Sequence, residues 1–289
     1  MIRPVVAGVD GSPESLAAAD WAAREATLRE LPLRIVHAWL WQPLDVPLVQ
    51  DRDAEEQAAR AVLRAAEEHV TSRYPQLTVT TKVLPETPVV ALTAEAERAA
   101  VLCLGTRGHG ALLGFLLGSY GQQVLGSAKG PVVSVRADEG EGAARESGEV
   151  VVGQQGSPED SADVLGFAFE AAALRGAPLR AVRAWSLPPV YTWSASLALA
   201  DASGGLEPFE REALHVALAP WRERYPDVKV LEDVQLGSAG QVLVEASPQA
   251  RLMVVGRRAR RSPIGTRIGS AAHAVLHHAR CPVAVVPHA

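Results

Sequence analysis

Short runs of β-branched and aliphatic residues alternate along the chain with longer stretches whose apolar residues recur at helical spacing. In the N-terminal part this pattern predicts strands over about 3–9, 32–39, 77–84, 100–105 and 131–136. Helices are predicted over about 14–30, 53–73 and 86–98 and from 118 onward. Five strands alternating with four helices imply a mostly parallel sheet covered by helices on both faces. The segments 53–73 and 206–224 carry many Glu and Arg on one side, the ordinary solvent face of an α/β protein.

The pattern occurs twice. Val6-Ala7-Gly8-Val9-Asp10-Gly11-Ser12-Pro13-Glu14 returns as Val151-Val152-Gly153-Gln154-Gln155-Gly156-Ser157-Pro158-Glu159, an offset of 145 residues. His37-Ala38-Trp39 returns as Arg183-Ala184-Trp185, and Arg73-Tyr74-Pro75 as Arg224-Tyr225-Pro226. From there the offset stays at 151, so that Leu104-Gly105 matches Val255-Gly256, Gly118-Ser119 matches Gly269-Ser270, and Pro131-Val132 matches Pro282-Val283. A period near 150 means two folded domains rather than a solenoid. The domains are expected at 1–137 and 149–289, joined by a Gly-, Glu- and Ala-rich linker at 138–148 that has no apolar periodicity.

Composition narrows the function classes. Of the 289 residues, 48% are hydrophobic and 21% charged, enough to bury a core in each half. A net charge of −5 argues against nucleic acid as the main partner, because that affinity rests on a basic face. The chain enters a strand-like run at once, without a secretory leader, and carries no apolar stretch long enough for a bilayer, so the expected place is the cytoplasm and no membrane is involved. Cys103 and Cys281 sit in or beside apolar strands, where a thiol behaves as a small buried hydrophobe and no disulfide is expected.

Candidate chemistry gathers at two strand ends. The fourth strand runs into Gly105-Thr106-Arg107-Gly108, and nine residues later Gly118-Ser119 opens a helix, a G-x2-G-x9-G-S pattern. Glycines let a backbone take positive φ and approach a ligand, and a helix N-terminus offers unpaired N–H groups to phosphates. The competing reading is a tight turn followed by a serine-capped helix. The first strand ends at Gly8-Val9-Asp10-Gly11-Ser12, placing a carboxylate where open α/β sheets bind ligands, provided that the strand order is 3-2-1-4-5. Asp10 would then accept ribose hydroxyls or hold a phosphate-bound cation; otherwise it caps the helix that begins near Pro13.

These motifs, together with the ending Val275-Leu276-His277-His278-Ala279-Arg280-Cys281-Pro282-Val283, resemble the universal stress protein family over essentially the whole chain, twice. The resemblance implies two tandem flavodoxin-like (Rossmann-like) α/β domains, each a five-stranded parallel sheet of order 3-2-1-4-5. It also implies ATP binding, with magnesium, and dimer-like pairing through last strands, as a homodimer or within one chain. By position, the family's nucleotide contacts fall on Gly8 and Asp10, on Ala38 for the adenine edge, and on Gly105, Gly108, Gly118, Ser119, Tyr120 and Gly121 for the phosphates. The family often has a hydroxyl where Gly121 stands, and Arg107 and His109 add charge or hydrogen bonds.

The second copy departs further. Gln155 replaces Asp10 and Ala259 replaces Gly108, while Gly153, Ala184, Gly256, Gly269 and Ser270 persist and Arg257, Arg258, Arg260, Arg261 and Arg267 surround the loop. The first site is therefore expected to be the better preserved. His273 and His277 have a metal-compatible spacing but no third ligand from any motif, so no metal is expected. Trp39, Trp41, Trp185 and Trp193 follow the second strand of each half and either wall an adenine pocket or pack. With no Walker-type Gly-Lys-Ser/Thr and no base–nucleophile pair, the expected role is a non-catalytic nucleotide-binding stress module. The alternatives are a slow ATP hydrolase or phosphotransferase using His109 or Asp10, and a nucleotide-free dimerisation scaffold.

Overall fold

The computed structural model describes residues 2–39, 52–106, 119–137, 148–186, 205–258 and 268–288. The chain divides into two compact units, Met1–Gly140 and Glu141–Ala289.

The first unit contains strands β1 (Val5–Gly8), β2 (Leu33–Ala38), β3 (Val79–Leu84), β4 (Val101–Thr106) and β5 (Val132–Arg136). Its helices are α1 (Pro13–Leu28), α2 (Arg52–Arg73), α3 (Pro88–Arg98) and α4 (Ser119–Ser127). The strands are parallel in the order β3-β2-β1-β4-β5, the order expected for the switch-point site. Residues Val5 to Gly8 are buried throughout, as a strand with a helix layer on each face requires. Helix α1 starts where Pro13 presets φ and the Ser12 hydroxyl accepts the Ser15 N–H (3.2 Å). It ends before Glu30, whose φ of 54° no helix continues through. Ala18, Ala19, Ala22, Ala23 and Ala26 are all fully buried, and these small side chains let α1 lie close on β1, β4 and β5. Helices α1 and α2 touch each other, as do α3 and α4, giving the two layers of a doubly wound sheet.

The second unit repeats the plan with strands β6 (Glu149–Gly153), β7 (Leu179–Trp185), β8 (Val230–Leu236), β9 (Ala250–Arg258) and β10 (Val283–His288). Its helices are α5 (Ala162–Leu174), α6 (Glu207–Arg224), α7 (Ala239–Ala246) and α8 (Ser270–His278). Within the unit the parallel order is β8-β7-β6-β9-β10, again 3-2-1-4-5 in the unit's own count. Strand β10 continues past the apolar run that ends at Val286, because Pro287 and His288 stay in register with Arg257 and Arg258 of β9. Cys103 and Cys281 are buried and form no disulfide, and no described helix is long and apolar enough to cross a membrane.

Candidate functional site

In both units the central strand lies between the second and fourth, so the carboxyl ends of these strands border one crevice where the winding reverses. In the first unit the register sets Gly8 beside Val36 and Leu104, which brings the ends of β1, β2 and β4, carrying Gly8, Ala38 and Gly105, to the same edge.

The turn leaving β1 is closed by a compact hydrogen-bond cycle. Asp10 Oδ1 accepts both the Ser12 N–H (3.0 Å) and the Ser12 hydroxyl (2.5 Å), an Asx turn made possible by Gly11 at φ +85°. The Asp10 N–H donates to Ser15 Oγ (3.3 Å), and that hydroxyl donates to the Ser12 carbonyl (2.8 Å). Partial burial by itself opposes ionisation of Asp10, but hydrogen bonding from Ser12 and Ser15 outweighs it and holds the carboxyl below its ordinary value. Asp10 is thus an ionised acceptor. Chemically it suits a ribose hydroxyl or a magnesium ion. His37 Nδ1 lies 2.7 Å from the Val9 carbonyl, so the proton is on Nδ1 and ties β2 to the same turn.

Gly105 lies inside β4, paired with Val135 of β5, and the strand runs one residue further, to Thr106, with no positive φ at Gly105. A Cβ here would stand 2.3 Å from the Glu14 carbonyl oxygen and 2.6 Å from Ser15 N, so the missing side chain admits the first turn of α1. Beside it, the Thr106 hydroxyl donates to the Val135 carbonyl (3.2 Å) and accepts from Ser134 Oγ (3.2 Å). Helix α4 begins at Ser119, with Tyr120 exposed and Gly121 in its first turn. Arg107, Gly108, His109, Gly118 and Trp41 lie outside the described residues.

In the second unit all five residues singled out from sequence, Gly153, Ala184, Gly256, Gly269 and Ser270, line one cleft of about 400 Å³. Gln155, Arg257, Arg258 and His288 line it too, whereas Ala259, Arg260, Arg261, Arg267 and Trp193 lie outside the described residues. Gly269 precedes α8 in extended backbone (φ −64°, ψ 158°), with no side-chain cap, and a Cβ on it would meet nothing within 4 Å. Arg257 is almost fully buried, and that desolvation pushes its pKa down.

Two features of this cleft carry no motif. Gln154, where the first unit has Val9, is buried, accepts from Arg183 Nη1 (2.6 Å) and donates to Ser161 Oγ (3.3 Å). Arg183 also donates to Glu210 of α6 (2.6 Å), so its charge is committed within the protein. His288 folds over Gly256, its ring 2.9 Å from where a Cβ would stand. The clue to Gln154 is a polar residue ending an apolar strand; His288 has no sequence clue, since its place depends on the β9–β10 register. His273 and His277 pack edge to face at 4.2 Å, and no metal-competent cluster of His, Cys, Asp and Glu occurs among the described residues.

Comparison with known proteins identifies the family and the fold. The model of the universal stress protein family matches residues 1–136 and 147–287. Universal stress protein Rv2005c of Mycobacterium tuberculosis is 36% identical over 290 residues, covering 97% of this chain and 96% of its own. A universal stress protein from Archaeoglobus fulgidus shares the fold at a TM-score of 0.72 and 16% identity, covering 98% of both chains. A universal stress protein solved in complex with cAMP is 27% identical, covers 46% of this chain and 96% of its own, and aligns at a TM-score of 0.37. The chain belongs to the universal stress protein family, as a member with two tandem domains.

Proposed function

We propose that this universal stress protein binds adenine nucleotides, ATP among them, at the carboxyl edge of its sheets and acts as a regulatory module rather than a catalyst. The observation that carries the reading is the convergence of Gly153, Ala184, Gly256, Gly269 and Ser270 on one cleft at the switch point. At about 400 Å³ it falls in the range of small-ligand sites. Ala184, next to the last residue of β7 and without a bulky side chain, leaves backbone accessible to a flat purine, while Arg257, Arg258 and the uncapped start of α8 favour anionic groups. In the first domain, Asp10 offers a carboxylate at the corresponding edge, suited to a ribose hydroxyl or magnesium. A magnesium ion there would neutralise phosphate charge, with Asp10 holding it.

Regulation is favoured over turnover because a depressed pKa makes Asp10 a weak proton acceptor, and its Oδ1 is already committed to Ser12. The test is thermal denaturation of nucleotide-stripped protein with added ATP, AMP or GTP. Selective binding to the folded state raises Tm with ligand concentration. ATP and AMP are expected to raise Tm by several degrees and GTP to do so far less. No shift with either adenine nucleotide would overturn the reading.

A further inference from the structure

Each domain carries a second hollow at the amino end of its sheet, away from the carboxyl edge where the glycines gather. In the first domain it lies where α1 and α2 end and β2 and β3 begin, with a volume of about 660 Å³. In the second it lies where α5 and α6 end, with a volume of about 470 Å³. All ten residues lining the first hollow have their repeat counterparts among those lining the second, so it belongs to the common frame.

Helices α1 and α5 close on it with the same turn. The Glu30 N–H donates to the Thr27 carbonyl (3.2 Å) and the Leu31 N–H to the Ala26 carbonyl (2.9 Å). Likewise, the Gly176 N–H donates to the Ala173 carbonyl (3.1 Å) and the Ala177 N–H to the Ala172 carbonyl (3.0 Å). Such a turn needs a left-handed residue just past the helix, where glycine is the usual occupant. Gly176 meets the need with φ 54°. Glu30 has the same φ of 54° and is the only non-glycine residue with positive φ among the described residues. Its Cβ is crowded in that conformation, and its carboxylate stands at the negative end of the α1 dipole, so backbone and charge both oppose a glutamate here. No basic residue in the last turn of α1 offsets the charge. Glu30 makes no ion pair among the described residues, while the neighbouring Arg29 and Arg73 are held by Glu25 and Asp20. A residue kept against two such penalties points to a ligand.

The surroundings of Glu30 suit a cation. Helices α1 and α2 both end at the hollow, and a helix C-terminus carries partial negative charge. Glu30 is the one charged residue that lines it, and the half-buried Tyr74 brings an aromatic ring, whose face attracts cations. Leu31, Pro32 and Leu77 supply apolar wall. The second hollow has the opposite character: Gly176 brings no carboxylate, Lys229 replaces Thr78, and Arg224 lines it too, against the single carboxylate of Asp227.

We propose that the first domain binds a small organic ammonium ion in this hollow, its cationic head against Glu30 and Tyr74 and its apolar body along Leu31, Pro32 and Leu77. The second domain, with the same frame and reversed charge, does not bind it. The site lies at the other end of the sheet from the nucleotide edge and stands independently of the nucleotide-binding reading.

The test is equilibrium dialysis of labelled 2-phenylethylammonium against the full-length protein, with 2-phenylethanol as the uncharged counterpart, at physiological salt, where loose surface pairing is screened. Wild type, Glu30→Gly and Thr78→Lys are compared. The wild type is expected to bind about one ammonium ion per chain, and the alcohol about tenfold more weakly. Glu30→Gly and Thr78→Lys are each expected to weaken ammonium binding about tenfold. Glu30→Gly should also raise the Tm of the ligand-free protein, because glycine adopts the left-handed φ without strain. No saturable binding, equal binding of the alcohol, two equivalents per chain, or binding indifferent to Glu30→Gly would overturn the site. A lower Tm for Glu30→Gly would show that the glutamate serves the fold and would remove the ground for the proposal.

Discussion

The two domains share a frame and differ in what they place on it. Both run their strands in the order 3-2-1-4-5, both leave the central strand through a glycine-serine-proline turn, and both begin a helix beside the fourth strand's carboxyl end. Yet the residues that fill equivalent places have been exchanged. Arg34 of β2 pairs with Glu95 of α3, which Lys82 also approaches at 3.7 Å. Its counterpart Arg180 lies between Glu149 and Asp233 on the neighbouring strands, which hold its pKa above the ordinary value. One cationic position has thus kept its charge and changed every partner. The core diverges too: Phe169 stacks near Trp221 and Tyr225 in the second domain, where the first has Ala23, Val70 and Tyr74. The backbone plan follows from the alternation of apolar strands and amphipathic helices, so it tolerates exchange of individual contacts.

The largest predicted effect tests the close approach of α1 to β4. In Gly105→Ala the new methyl meets backbone of Glu14 and Ser15, which cannot rotate away, so a loss above about 3 kcal/mol is expected. In Gly256→Ala the methyl meets the His288 ring and the tip of Val164, both ends of side chains that can turn, so about 1 kcal/mol is expected. Urea denaturation of both variants, followed by hydrogen exchange to assign the loss to a domain, checks the pair. Equal costs would show that the two helices approach their sheets alike and that the difference at Gly256 is superficial.

The exchanged ion pairs come next. Arg180→Gln leaves Glu149 and Asp233 facing each other, both largely buried, and is expected to cost about 2 kcal/mol after allowance for the partial exposure of the arginine. Arg34→Gln leaves Glu95 with Lys82, so less than about 1 kcal/mol is expected. A reversed order in chemical denaturation would mean that the strand-borne carboxylates find other partners.

The alternation of strands and helices and the glycines at strand ends were legible because each follows from hydrophobic period or from turn chemistry over a few neighbouring residues, whereas the strand order, a non-local property, came from the resemblance to the family. The convergence of Gly153, Ala184, Gly256, Gly269 and Ser270 was legible only as the repeat's counterpart of positions matched to the family, in the copy whose sequence departs further from the pattern. The reason for Gly105 was not. A glycine that admits a helix and a glycine that admits a ligand look the same in a sequence, because both are simply the absence of a Cβ. Arg183 with Gln154 and Glu210, and His288 over Gly256, depend on pairings between elements far apart in the chain, which no local spacing encodes.

The smallest effect concerns Asp10 and separates the two strand-end turns by pH. Its folded pKa lies below the ordinary value of 3.8, so the folded state favours the ionised carboxylate. The resulting stability is present above the unfolded pKa and is lost as pH falls through the folded one. Asp10→Asn, which cannot ionise, is therefore expected to be less stable than wild type at pH 7 by no more than a few tenths of a kcal/mol, roughly, since Asp10 is exposed and screened by solvent. That gap should shrink once the pH drops below about 4, in parallel denaturation series. Gln155→Asn in the second domain removes no charge, so any difference from wild type should be independent of pH. A gap at Asp10 that is flat with pH would mean that its hydrogen bonds to Ser12 are worth as much to a neutral side chain, and that the charge is reserved for a ligand rather than for the turn.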